Sequence, residues 1–189
     1  MEWLIPLIIV VVLIAIVGIY LWATYNSLVT LNVRVDEAWS DITVQLKRRA
    51  DLIPNLIESV KGYASHERGT LDAVVKARGA AVAAQTPESR AQAEGQLSQA
   101  LRGLFALAES YPDLKATANF QSLQASLGEI EEAIQSARRY FNAVVRDLNT
   151  AIQEFPSNLI AGFFQFKPHG YFELDHPEER QVPKVSFGG

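Results

Sequence analysis

The stretch FQSLQASLGEIEEAIQSARRYFNAVVRDLNTAIQEF, residues 120–155, decides the fold. Its apolar positions are Phe120, Leu123, Leu127, Ile130, Ile134, Ala137, Phe141, Val144, Leu148, Ala151 and Phe155. They alternate at spacings of three and four without a break. A strand repeats every two residues and cannot produce that pattern, whereas a helix with one apolar seam does. The seam predicts a helix roughly 50 Å long at 1.5 Å per residue, ended by Pro156.

A matching seam lies earlier. Leu28, Leu31, Val35, Ala38 and Ile42 keep the spacing, followed by Leu46, Ala50, Ile53, Ile57 and Val60. The extra step of four between Ile42 and Leu46 is a stutter, which locally unwinds a supercoil. Pro54 falls inside this run. It either kinks one long helix or sits in the first turn of a new one capped by Asp51.

Two shorter elements lie between the seams. Residues 66–85 are alanine-rich, with Leu71, Val74, Val75 and Val82 expected on one side. Thr86-Pro87-Glu88 reads as an N-cap, a first-turn proline and an acidic first turn. The helix it opens carries Leu97, Leu101, Leu104, Ala108 and Tyr111 and breaks at Pro112. Four apolar stripes with short connections predict an all-α chain whose bundle, residues 25–155, is an elongated antiparallel assembly of about four helices.

Upstream of the bundle, residues 3–23 contain no charged side chain. As a helix this run spans roughly 30 Å, the thickness of a bilayer core. Trp3 lies at one end and Tyr20, Trp22 and Tyr25 at the other, where amphipathic rings favour the two membrane interfaces. Residues 1–24 therefore read as a single-pass transmembrane anchor that contacts the lipid bilayer. A cleaved signal peptide is the competing reading, but the start lacks a basic region and Leu21-Trp22-Ala23 is a poor cleavage site. Arg34, Lys47, Arg48 and Arg49 follow the run and none of these cations precedes it, so the positive-inside rule leans towards a cytoplasmic bundle.

Residues 156–189 form an irregular tail holding four of the eight prolines. Its first part is aromatic, with Phe163, Phe164, Phe166, Tyr171 and Phe172, and is expected to pack on the bundle, meet a partner or touch the membrane interface. The final DHPEERQVPKVSFGG is expected to be extended or disordered.

Chemistry is sparse by comparison. The 189 residues include no cysteine, which excludes disulfides, thiolate metal sites and a cysteine nucleophile. The net charge of −4 argues against a nucleic-acid binder by bulk electrostatics. His66-Glu67 begins a zincin-like pattern, but Thr70 stands where the second histidine belongs. His169 and His176 are scattered in the tail. No P-loop or nucleophile elbow is present. Glu129, Glu131 and Glu132, and likewise Asp36, Glu37 and Asp41, have no Glu-x-x-His partner for a di-iron bundle, and a solvated helix face accounts for them. No catalytic, cofactor-binding or metal site is expected. Lys47, Arg48 and Arg49, with Asp51 and Asn55, form a polar patch of both signs. It reads as a patch that holds neighbouring helices in register or binds a partner or another copy, or as a solvated face with local ion pairs.

Tyr25-Asn26-Ser27-Leu28-Val29 followed by VDEAWSDITVQLKRRADLIPNLIESVKGYASHE (35–67), AESYPDLKATANFQSLQASL (108–127) and RRYFNAVVRDLNTAIQEFPSNLIAGFFQF (138–166) together resemble the LemA family of bacterial membrane proteins. The resemblance covers nearly the whole chain. Thr117-Ala118 stands where Asn-Glu is usual. The resemblance implies an amino-terminal anchor in the bacterial inner membrane, a helical bundle, and no recognised enzymatic residues. A relative takes part in building magnetosome membranes, and neighbouring genes imply a membrane zinc metalloprotease of the HtpX type as a partner. The expected function is a membrane-anchored, non-enzymatic scaffold or adaptor that forms a homo-oligomer. A lipid-interacting or membrane-shaping protein is one alternative, and an enzyme using carboxylates or a metal is the other.

Overall fold

A computed structural model describes residues 3–173 of the chain, so the expectation for the final polar stretch lies outside the described residues. Six helices follow in order: α1 (Leu4–Lys61), α2 (Arg68–Ala83), α3 (Pro87–Glu109), α4 (Pro112–Lys115), α5 (Ala118–Gln153) and α6 (Ser157–Phe163). There is no strand among the described residues. The all-α bundle read from the two seams is therefore the observed fold.

The helices are divided between two compact units. Of the described residues, one contains 3–41 together with Arg139–Gly170, and the other contains Ile42–Arg138 and Tyr171–Glu173. Helices α1 and α5 contribute to both.

In the second unit the core is built by Ile53, Leu56 and Val60 of α1, Leu71, Val74, Ala77 and Ala81 of α2, and Leu97, Leu101, Leu104 and Ala108 of α3. Phe120 and Leu127 of α5 complete it, with Leu114 from the short α4. Two details differ from the seams read along the sequence. Leu56 takes the fully buried place expected for Ile57, which is only partly covered. On α2, Val75 and Val82 are exposed and the buried face is carried by Leu71, Val74, Ala77 and Ala81. Spacing decided this outcome over side-chain size. Steps of three and four starting at Leu71 reach the two alanines, whereas the two valines fall beside that stripe.

Thr86 caps α3 as expected. Its hydroxyl accepts the Ser89 N–H at 3.2 Å, and the Ser89 hydroxyl accepts the Thr86 N–H at 3.1 Å. This reciprocal arrangement satisfies two of the orphan donors at the helix start. The far end of α1 is tied to the start of α5 by a hydrogen bond from Asn119 Nδ2 to Ser59 Oγ at 2.9 Å.

Helix α1 runs unbroken through Pro54. A proline there has no N–H to give the carbonyl four residues earlier, so the Ala50 oxygen loses its helical partner. Arg78 of α2 replaces it. Its Nε donates to the Ala50 carbonyl at 2.7 Å. The proline thus creates an acceptor inside the bundle, and a neighbouring helix supplies the donor. That resolves the choice between a kinked helix and a new one in favour of continuity.

In the first unit, buried Leu28, Val35 and Ala38 of α1 lie on the stripe read from the sequence, as do Phe141, Val144 and Leu148 of α5. Trp39 and Phe141 meet with ring centroids 5.6 Å apart. Phe155, counted as the last member of the late seam, is 80% exposed. Helix α5 ends at Gln153, before that position turns inward.

The pairing of Arg78 with Pro54 is testable by a double-mutant cycle. Replacing Arg78 with Met should strand the Ala50 carbonyl and cost about 1–3 kcal/mol. In a Pro54→Ala background, where residue 54 regains its N–H, the same replacement should cost measurably less. Denaturant titration of the full chain in detergent, followed by circular dichroism, reads both values. Equal costs in the two backgrounds would separate Arg78 from the proline.

Candidate functional site

The seam of α1 places Arg49 between Leu46 and Ile53, on the inward face of the helix. The side chain is 2% exposed and its guanidinium lies inside the second unit. One terminal nitrogen pairs with Glu94 of α3, a carboxylate that is 1% exposed. The other donates to Glu131 of α5 at 2.6 Å and to Ser98 of α3 at 3.2 Å. Gln135, one turn after Glu131, donates to the other Glu131 oxygen at 3.3 Å.

Arg90 brings a second positive charge. Its Nε lies 3.3 Å from Glu94 Oε1, close enough for an ion pair but not aligned as a hydrogen bond. Two guanidiniums therefore face two carboxylates, and the cluster is neutral as a whole. Desolvating such charges is costly, and the cost is offset only when each finds its counter-charge. Arg49 contacts two carboxylates on two different helices, so it ties α1, α3 and α5 together through one planar group.

Beside the cluster is a cavity of about 510 Å³. Arg49, Ser98, Arg102, Gln124, Glu131 and Gln135 supply its polar lining, and Leu101, Phe105 and Leu127 its apolar lining. Gly128 borders it, and a methyl group added there would meet nothing within 4 Å.

The remaining residues of the expected polar patch lie on the outside of α1. Lys47 pairs with Asp51 at 2.6 Å, and both are well exposed. Such a pair stabilises a helix by only a few tenths of a kcal/mol. Arg48 donates to Gln45 at 3.1 Å, and Asn55 is exposed. The three consecutive cations are thus split by helical geometry, with Lys47 and Arg48 outward and Arg49 inward. Successive residues point about 100° apart on a helix. Glu94 and Glu131 also sit on apolar stripes, three residues before Leu97 and Ile134 respectively. That period was the available signal for the cluster.

A different arrangement occupies the first unit. Helix α6 ends in a Schellman turn: Gln165 takes the left-handed conformation with φ of 59°, and the Phe166 N–H reaches back to the Ala161 carbonyl at 2.9 Å. The turn brings the aromatic residues against α1. Phe164 and Phe166 stand 4.6 and 6.1 Å from the Tyr25 ring, and Phe163 stands 5.0 Å from Phe164. Ile160 and Ala161 pack on Leu28. His169 latches the following chain: its N–H donates to Asn149 Oδ1 and its carbonyl accepts from Asn149 Nδ2, both at 2.9 Å, while its ring nitrogen lies 3.2 Å from Asn32 Oδ1.

Trp3, Tyr20, Trp22 and Tyr25 are all exposed, and no side chain from residue 3 to residue 23 is buried. Helix α1 is long and apolar enough at this end to cross a membrane. Next to it, Leu21, Trp22 and Tyr25 line an almost wholly apolar cavity of about 560 Å³ with Leu159, Ile160, Phe163 and Phe164. Tyr171 and Phe172 belong to the second unit instead, where Phe172 is fully buried and Tyr171 is exposed beside Glu88 and Gln92 of α3.

The model of the LemA family matches residues 38–187. The chain belongs to the LemA family. Among its relatives is the magnetosome protein MamQ of Magnetospirillum gryphiswaldense, 25% identical over 174 residues, which are 78% of this chain and 64% of that protein. Magnetosome protein MamQ 2 of Paramagnetospirillum magneticum is 24% identical over 175 residues, covering 79% and 64% of the two chains. Protein LemA of Metamycoplasma hominis is 25% identical over 137 residues, covering 72% and 63%. The matches thus span less than two thirds of the length of these relatives. Family membership and the apolar amino-terminal helix together make this LemA-family chain a membrane-associated protein.

Replacing Arg49 with Met should destabilise the chain by roughly 3–5 kcal/mol, because Glu94 is left buried opposite too little positive charge. Adding Glu94→Gln to that variant should restore part of the loss. Glu131→Gln, at a half-exposed position, should cost less than Arg49→Met. Thermal unfolding of the three variants in one detergent gives the ranking.

Proposed function

We propose that this chain is a membrane-anchored, non-enzymatic scaffold or adaptor at the bacterial inner membrane, with its bundle on the cytoplasmic side. It acts by associating with other copies of itself and by holding protein partners. One observation carries the reading. The outward face of α1 presents Val44, Arg48, Asp51 and Asn55 at helical spacing, all exposed. Such a row of both signs with an apolar member suits a contact surface, since complementary charges set register and orientation between helices.

The distribution of charge supports the same view. The most deeply buried ionisable groups, Arg49 and Glu94, are paired with each other and brace the bundle. The exposed cations of α1 are the ones available to a partner. A membrane zinc metalloprotease of the HtpX type, implied by the family resemblance, is a candidate for that place.

Mass measurement of the full chain in lipid nanodiscs tests self-association. Assemblies larger than one chain are expected, and Lys47→Glu with Arg48→Glu should weaken them by about tenfold or more, equivalent to about 1.4 kcal/mol. Monomers alone at membrane-like concentration would remove self-association from the proposal.

A further inference from the structure

Helix α6 carries more apolar surface outward than inward. Ile160 and Ala161 are buried against Leu28, but Leu159 is 65% exposed and Phe163 is 80% exposed, one turn apart on the same face. Phe155, just before the helix, is equally bare. Exposed aromatic clusters of this kind mark an interaction surface.

The neighbours of that face say what covers it. The cavity that Leu159 and Phe163 help to line is also lined by Leu21 and Trp22. Those two residues end the uncharged run that begins at Trp3, and both are exposed along with the rest of it. The apolar surface of the anchor therefore continues onto α6 without a polar break. Whatever medium surrounds Leu21 and Trp22 also reaches Phe163. Tyr25 sits at the junction, its ring against Phe164. Amphipathic aromatics of this kind concentrate at the boundary between hydrocarbon and headgroups.

We propose that α6 is a second membrane contact: Phe155, Leu159 and Phe163 insert into the same leaflet that receives the distal end of the anchor, and a lipid acyl chain fills the cavity between α6 and Leu21–Tyr25. The anchor is thereby held by a short helix lying at the interface as well as by its own span. The proposal rests on the membrane-anchored reading of the amino-terminal helix. It goes beyond the scaffold role by assigning the lipid itself as a ligand of α6.

The absence of cysteine makes the test direct, since one introduced cysteine is the sole labelling site. Full-length chains carrying Phe163→Cys, Ile14→Cys or Tyr140→Cys are labelled with an environment-sensitive fluorophore. They are then reconstituted in phosphatidylethanolamine–phosphatidylglycerol vesicles containing nitroxide-labelled phosphatidylcholine. Ile14 reports the anchor. Tyr140, exposed on α5 about 22 Å along the helix from Phe155, is the aqueous reference. The label at 163 is expected to shift to shorter wavelength and to be quenched by the lipid nitroxide as the label at 14 is, while the label at 140 responds only to aqueous iodide.

Lipid quenching at 14 with an iodide-accessible label at 163 would overturn the proposal and leave the anchor intact. Loss of lipid quenching at both 14 and 163 would remove the anchored reading as well. A label at 163 shielded from both quenchers, with Phe163→Cys chains joining in pairs on oxidation, would assign the face to a second copy and overturn the lipid contact.

Discussion

One guanidinium constrains much of the bundle's second unit. Arg49 lies among apolar side chains on the inward face of α1, where an unpaired charge would cost several kcal/mol. Two carboxylates from α3 and α5 meet it, and Arg90 balances the excess. Each of these helices must therefore present a carboxylate at one height and one rotation. Apolar packing alone tolerates slippage by a turn, but a planar donor shared between carboxylates on two helices does not. The cluster thus sets the register of three helices, and the leucines and alanines around it supply the bulk of the burial.

A second constraint acts one turn along the same helix. Pro54 leaves the Ala50 carbonyl without its helical donor, and Arg78 of α2 supplies one. Arg49 and Ala50 are adjacent, so α1 is tied by polar contacts to α2, α3 and α5 within a single turn. In the other unit the corresponding tie is His169, which exchanges two hydrogen bonds with Asn149 and brings its ring to Asn32. Histidine here acts as a latch between chain segments. No local pattern around it points to that, because both partners are far from it along the chain.

The exposed surface of the chain is of two kinds. The uncharged end of α1 and the outward face of α6 form one continuous apolar region, suited to hydrocarbon. The outward face of α1 beyond Ile42 presents Val44 among exposed polar residues of both signs. Among the described residues, no three His, Asp or Glu side chains gather where they could hold a metal ion.

The sequence by itself determined the helical class, the long apolar amino-terminal run and most of the buried stripes, because each depends on period and composition within a single segment. Steps of three and four are local and survive into the fold, as Leu97, Leu104, Ile134 and Phe141 show. The Thr86 cap was legible for the same reason. Only tertiary structure decided which of Lys47, Arg48 and Arg49 would be buried opposite Glu94, that α1 would continue through Pro54, and that Phe163 and Phe164 would stand beside Trp22 and Tyr25. Each of those outcomes depends on a partner dozens of residues away or more. Charge compensation and the satisfaction of an orphan carbonyl are conditions between helices, and no one helix carries enough information to meet them.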